Sequence, residues 1–217
     1  MTRRFFRRLA VALAAAAIAV ALDPAAARAE PARTHTNHTL ALAQPGGDLV
    51  VREAWMLRRV SGRVDAANSA VASASCDGCR AVAAAIQIIL LERPEAPLQA
   101  DNLAVAATTG CERCETSAAA HQLIVIGDGV ELQLSRAAQD ALRRLRREFA
   151  AAARTAASPA ELAPAVDAVA ERVAAVLAAD LRAVGPDAAA AFSFDGGPAP
   201  LARIEHRRVA DHRGGER

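Results

Sequence analysis

Four cysteines carry the clearest chemical signal in the sequence, and they form two C-x-x-C pairs. Cys76 and Cys79 are the first pair, Cys111 and Cys114 the second, and 31 residues separate the pairs. This spacing is typical of a tetrathiolate zinc site, in which each of two turns supplies two ligands. It also suits disulfide bonds, within or between the pairs, and a thiol-redox dithiol. The sequence favours disulfides, because the arginines and apolar run at its N-terminus predict export and an even number of cysteines in an exported chain usually pairs.

Each cysteine pair lies in a longer unit that occurs twice, over residues 68–90 and 102–125. Both copies read Asn-x-Ala-Val-Ala, then Cys-x-x-Cys, then seven residues and a glutamine. Asp77 and Gly78 between the first two cysteines are a strong signal for a two-residue hairpin turn. The repeat therefore predicts two antiparallel hairpins with the cysteines at their tips.

The pairing expected in these hairpins brings amide side chains opposite each other. A turn at Asp77-Gly78 sets Asn68 opposite Gln87. The second copy is one residue longer, and a glycine bulge at Gly110 would restore the pairing of Asn102 with Gln122. We expect these amides to satisfy one another structurally, and the alternative is a polar pocket bounded by alanines. His121 is expected to be structural.

The two faces of the predicted hairpins differ, because side chains alternate along a strand. One face carries the amides, a row of alanines and the cysteines. The other is aliphatic and is expected to pack on helices. The alanine face is shallow, so whatever covers it must approach it closely. The candidates are the Trp55 segment, a second subunit and a ligand.

The predicted fold class is α+β, an antiparallel meander of about five strands followed by an αα-hairpin. Residues 49–134 form the duplicated β domain, with a third hairpin that turns at residues 127–129. Residues 135–185 form the helical hairpin, since Ser158-Pro159-Ala160-Glu161 is a strong helix start and Gly185-Pro186 a stop. Residues 30–48 are expected to be a flexible lead-in and residues 186–217 a disordered tail.

The first 29 residues have the layout of a signal peptide. Arg3, Arg4, Arg7 and Arg8 precede a 14-residue apolar run, and Ala27-Arg28-Ala29 offers a cleavage site. The adjacent Arg3 and Arg4 partly match a twin-arginine signal, so Sec and twin-arginine export both stay open. The sequence predicts a secreted or cell-envelope protein, cleaved near Ala29, with no membrane span in the mature chain.

Removal of the signal peptide also changes the net charge. It takes away five arginines and one aspartate, which leaves 21 basic and 23 acidic residues and a charge near −2 instead of +2. This balance and the 3% aromatic content argue against a nucleic-acid partner. The sequence contains no metalloprotease, nucleophile-elbow or phosphate-loop motif, which favours a non-enzymatic role.

The duplicated unit Asn-x-Ala-Val-Ala, Cys-x-x-Cys, Gln over residues 68–126 resembles a module of exported actinobacterial proteins of unknown function. Some of these resemble chains named as peptide zinc metalloproteases, and the resemblance implies export without a catalytic motif. We therefore expect a structural or interaction module without a cofactor, which binds a protein or cell-envelope partner; a homodimer is compatible with the sequence. The alternative is a thiol-redox or zinc-handling protein with one structural zinc.

Overall fold

The computed structural model describes residues 33–45, 49–94, 98–127, 131–155, 158–183 and 202–214. The predicted signal peptide, residues 1–29, lies outside them. The elements are β1 Arg33–Ala43, β2 Leu49–Gly62, β3 Val64–Ala74, β4 Arg80–Pro94, β5 Gln99–Thr108, β6 Glu115–Gly127, α1 Arg136–Thr155, α2 Pro159–Ala183 and β7 Ala202–Gly214.

The strands form two sheets that face each other. Sheet A has the order β1-β3-β5 and sheet B the order β2-β4-β6-β7. All neighbours are parallel except β6 and β7, which are antiparallel. The chain therefore winds through three coils, β1–β2, β3–β4 and β5–β6, and each coil crosses from sheet A to sheet B.

The predicted antiparallel meander is wrong. In each repeat the two strands face each other through their side chains, as a β-arch, instead of pairing through their backbones in one sheet. Backbone pairing joins successive coils, so that Ser69 aligns with Leu103. The third hairpin is also absent, because residues 131–135 are not a strand.

Two segments predicted to lack structure contain strands. The expected flexible lead-in contains β1, and the expected disordered tail contains β7. The two helices lie within the segment expected to form the helical hairpin.

Small side chains fill the space between the sheets. We call this group the inner cluster. Its buried members are Ala41, Ala43, Ala70, Ala72, Ala74, Cys79, Ala81, Ala83, Ala85, Ala104, Ala106, Cys114, Ala118 and Ala120. The alanine face of each sheet is thus covered by the alanine face of the other sheet, not by the Trp55 segment. Trp55 lies on the opposite face of β2, among the helix contacts.

The outer face of sheet B packs on both helices. Ile86, Ile88 and Leu123 join Leu142 and Phe149 of α1 in one buried cluster. Because β4 and β6 bury both faces, their sequences are almost continuously apolar, as expected of central parallel strands. Sheet A buries one face only, and on its outer face Leu40, Leu42 and Leu103 are about half exposed.

Candidate functional site

The predicted asparagines form a ladder along the coils. Asn37 Nδ2 donates to Asn68 Oδ1 at 2.8 Å, and Asn68 Nδ2 donates to Asn102 Oδ1 at the same distance. Asn68 Nδ2 also donates to the carbonyl of His121 at 3.0 Å, which ties sheet A to sheet B. Asn102 ends the ladder on the carbonyls of Ala120 and Arg207. The ladder runs between coils, and Asn37 is a member that the sequence analysis missed.

The glutamines form a second, shorter ladder on sheet B. Gln122 Nε2 donates to Gln87 Oε1 at 2.8 Å. Gln87 Nε2 donates to the carbonyls of His35 and Ala67 at 3.0 and 3.2 Å. Both glutamines are fully buried. The expected partnership of Asn68 with Gln87 is therefore replaced by like-with-like stacking, because parallel strands in register place equivalent residues side by side.

The two C-x-x-C pairs are disulfide-bonded within each pair. The Cα atoms are 5.3 Å apart for Cys76–Cys79 and 6.0 Å apart for Cys111–Cys114, both in the usual range. Each disulfide closes the arch between a sheet A strand and a sheet B strand. Buried Cys79 and Cys114 belong to the inner cluster, whereas their partners are partly exposed. The disulfides therefore close one end of the inner cluster.

The two arches are stacked by hydrogen bonds through the predicted turn. The Cys79 amide donates to the Cys76 carbonyl at 3.0 Å, so Asp77 and Gly78 do occupy a turn. Gly78 adopts φ 71°, and its amide donates to the Glu112 carbonyl at 2.8 Å. Asp77 Oδ1 accepts from the Glu112 amide at 2.7 Å. The turn thus links coil to coil instead of starting a hairpin.

Gly110 does not form the expected bulge. It lies in the second arch with φ 59°, and Arg113 in the same arch has φ 54°. The first arch spans residues 75–79 and the second residues 109–114, so the arch absorbs the extra residue. The pairing on either side stays regular, with Ala74 beside Thr108 and Arg80 beside Glu115.

A buried histidine lies at the junction of β6, β7 and α2. His121 is 1% exposed, and its Nε2 lies 2.9 Å from Oδ1 of Asp167. Its Nδ1 lies 3.0 Å from Nε2 of His206. Asp167 also accepts two hydrogen bonds from Arg208, at 2.7 and 2.6 Å. Of this cluster only His121 could be named from the sequence, since its partners are 46, 85 and 87 residues further along the chain.

The protonation of this cluster follows from burial. Burial outweighs the attraction of Asp167 and lowers the pKa of His121 to about 4. Arg208, through its hydrogen bonds, lowers the pKa of Asp167. Because a carboxylate only accepts, the position of Asp167 favours the tautomer of neutral His121 that carries its proton on Nε2, which leaves Nδ1 as the acceptor toward His206. The arrangement attaches β7 and α2 to the third coil.

A basic cleft lies between β2 and α1. Its volume is about 480 Å³. It is lined by Trp55, Met56, Leu57, Arg58, Arg59, Leu90, Leu134, Gln139, Leu142, Arg143 and Arg146. Trp55 packs against Phe149 with ring centroids 6.0 Å apart, so it serves both the core and the cleft.

Comparison with known proteins gives no match to any family model, curated protein or solved structure. The resemblance to the exported actinobacterial module stays a prediction. In the part of the chain that the structure describes, no three or more His, Cys, Asp or Glu side chains are grouped so as to hold a metal ion. Neither described helix is both long and apolar enough to span a membrane.

Proposed function

We propose that the chain is an exported, non-enzymatic interaction scaffold whose three coils are held rigid by amide ladders and closed by two disulfides. The observation that carries this proposal is the position of Cys79 and Cys114. Both lie in the inner cluster at 5% and 1% exposure, where they continue the row of alanines to the end of the sandwich. The sulfur atoms of Cys79 and Cys114 are packed among buried alanines, so their main contribution is to the stability of the core.

The amide ladders support the same proposal. A buried amide available to a ligand would leave donors unused in the free protein. Instead, the donor groups of Asn68, Gln87 and Asn102 are hydrogen-bonded to neighbouring coils or to the facing sheet. Buried networks whose donors are used in this way rigidify a core, and a rigid core holds a binding surface in place, although Gln122 Oε1 accepts no hydrogen bond from the described residues.

The test compares the reactivity of the disulfides with their contribution to stability. We expect the purified protein to catalyse no reduction of insulin by dithiothreitol, and Cys111→Ser/Cys114→Ser to lower the midpoint of thermal unfolding. Ser73→Ala, on the outer face of β3, serves as the control and should leave that midpoint unchanged. Catalysed insulin reduction, together with an unchanged midpoint in the cysteine variant, would overturn the proposal.

A second candidate function is thiol–disulfide exchange, because each pair joins a partly exposed cysteine to a buried one. In such a pair the exposed sulfur, Cys76 or Cys111, is the one a substrate thiolate can attack. The zinc-handling alternative is distinguished by intact mass. Two disulfides remove four hydrogens from the mass of the reduced chain, whereas a zinc site adds one zinc that is lost on denaturation.

A further inference from the structure

We propose that the cleft between β2 and α1 binds an acidic peptide segment in extended conformation, which adds as a strand to the free edge of β2. The inference rests on the proposed interaction role and names the chemistry of its partner. Three features of the described residues support it: the geometry of the cleft, its charge and the backbone that it exposes.

The cleft runs along the backbone edge of β2. Five consecutive residues, 55–59, line it. Because neighbouring side chains of a strand point to opposite faces, a cavity that touches all five reaches the edge of the strand, and its contact with Leu90 of β4 shows that it also extends over the outer face of sheet B. These residues cover roughly 16 Å of that edge. In the described part of the chain β2 pairs with β4 alone, so its other edge is open to a further strand.

The charge of the cleft selects an acidic partner. Four of its eleven lining residues are arginines and none is acidic. Arg59 already faces Glu92, and Arg143 faces Asp140. Among the described residues, Arg58 and Arg146 have no carboxylate within 4.0 Å. Two guanidinium groups are thus left to pair with carboxylates of a ligand, a geometry that arginine favours.

The apolar side chains of the cleft favour a peptide in which acidic and apolar residues alternate. Trp55, Leu57 and Leu142 provide an apolar wall beside the arginines. An added strand turns alternate side chains to opposite faces, so acidic and apolar residues in alternation would meet both surfaces.

The exposed backbone favours a peptide over other anions. Arg58 Nη1 donates to the Leu57 carbonyl at 3.3 Å, and so occupies a main-chain acceptor of the edge strand. Charged side chains of this kind protect free edges from unspecific pairing. A peptide can replace that donor with its own amide while its carboxylate takes the guanidinium. An anionic lipid has no such regularly spaced amides to offer.

The probe is a labelled synthetic peptide of about ten residues, at the upper end of usual strand lengths, that alternates Glu and Val. Binding to the full chain is followed by fluorescence anisotropy and by the emission of Trp55, the only tryptophan. We expect Arg58→Ala/Arg146→Ala to weaken binding by about tenfold or more, because these are the two arginines of the cleft that no described carboxylate pairs. Arg52→Ala/Arg147→Ala is the matched control, with the same charge loss on the same strand and helix, and should weaken binding less than about threefold.

Two further probes separate strand addition from simple attraction of charge. A peptide with Lys in place of Glu, and a peptide of unchanged charge with alternate backbone nitrogens methylated, should each bind about tenfold more weakly or worse. Equal weakening by both arginine variants would overturn the proposal, as would undiminished binding of either altered peptide. Absence of binding would do the same, as would binding only to vesicles of phosphatidylglycerol.

Failure of this inference is distinguishable from failure of the scaffold role. Disulfide reactivity and thermal unfolding are measured on the protein without peptide, so a rigid and redox-inert protein that ignores the peptide rejects the cleft alone.

Discussion

Asn68→Ala should be among the most destabilising single substitutions on sheet A. The side chain is 1% exposed and sits in the middle of the asparagine ladder. It accepts one hydrogen bond from Asn37 and donates one each to Asn102 and to the His121 carbonyl. At about 1 kcal/mol for each lost bond, plus the cost of polar groups left buried and unpaired, the free energy of unfolding should fall by about 3–5 kcal/mol.

Urea unfolding followed by far-UV circular dichroism measures this change. Ser69→Ala is the matched control, because Ser69 is the next residue but lies on the exposed face, where it contacts His38. It should cost less than about 0.5 kcal/mol. Asn37→Ala removes two hydrogen bonds at the end of the ladder and should cost about 2 kcal/mol.

A double-mutant cycle tests the ladder itself. In stacked coils Asn68 and Asn102 share a hydrogen bond, so their substitutions should be coupled by about 1 kcal/mol. If Asn68→Ala costs no more than Ser69→Ala, or if Asn68 and Asn102 are uncoupled, the asparagine ladder does not stabilise the coils.

Three further predictions concern the disulfides, the buried histidine and the helical layer. Replacement of Cys76 and Cys79 by serine should lower the free energy of unfolding by about 2 kcal/mol, since the bond closes a loop of only four residues; an unchanged urea midpoint would contradict this. The free energy of unfolding should fall by about 3 kcal/mol as the pH drops from about 6.5 to about 4, because unfolded His121 regains its ordinary pKa and takes up a proton that the folded state excludes. His121→Gln should flatten that part of the pH profile of stability. An unchanged slope in this variant would contradict the assignment of the pH dependence to His121. Phe149→Ala should cost about 3–5 kcal/mol and change the emission of Trp55, which packs against it, whereas a smaller loss with unchanged emission would place α1 elsewhere.

The strands of the repeat could be predicted from the sequence, but not how they pair. The alternation that puts Ala70 and Ala85 on one face of a hairpin also puts both into the inner cluster of a β-arch, so it does not distinguish the two arrangements. The deciding signal was the composition of β4 and β6. Their near-continuous apolar runs indicate strands covered on both faces, which a two-layer meander does not provide.

The first coil was missed because its turn lacks cysteines. Asn37 precedes Asn68 by 31 residues, and Asn68 precedes Asn102 by 34. Asn37, Thr39, Ala41 and Ala43 repeat the alternation of small inward side chains found in β3. A repeat defined by its asparagines indicates three coils, at Asn37, Asn68 and Asn102. A repeat defined by its cysteines indicates only two.

β7 could not have been found from hydrophobic periodicity, because polar contacts hold it in place. Arg207 donates to the Ala100 carbonyl at 2.6 Å, and Asp211 accepts from the Ala106 amide at 3.1 Å. Arg208 pairs with Asp167. A strand that covers the end of the third coil with charged side chains shows little apolar pattern, and its partners are distant in sequence.

The midpoint reduction potential of the two disulfides tests most directly whether the cysteines are structural. Reduction would place thiols in the packed inner cluster at Cys79 and Cys114 and loosen both arches, so the folded protein should favour the oxidised form. Equilibration against glutathione and dithiothreitol buffers, read by thiol trapping and mass, should give potentials below about −300 mV for both pairs. Potentials between about −120 and −270 mV, with the fold unchanged on reduction, would contradict a structural role and assign the cysteines to exchange chemistry.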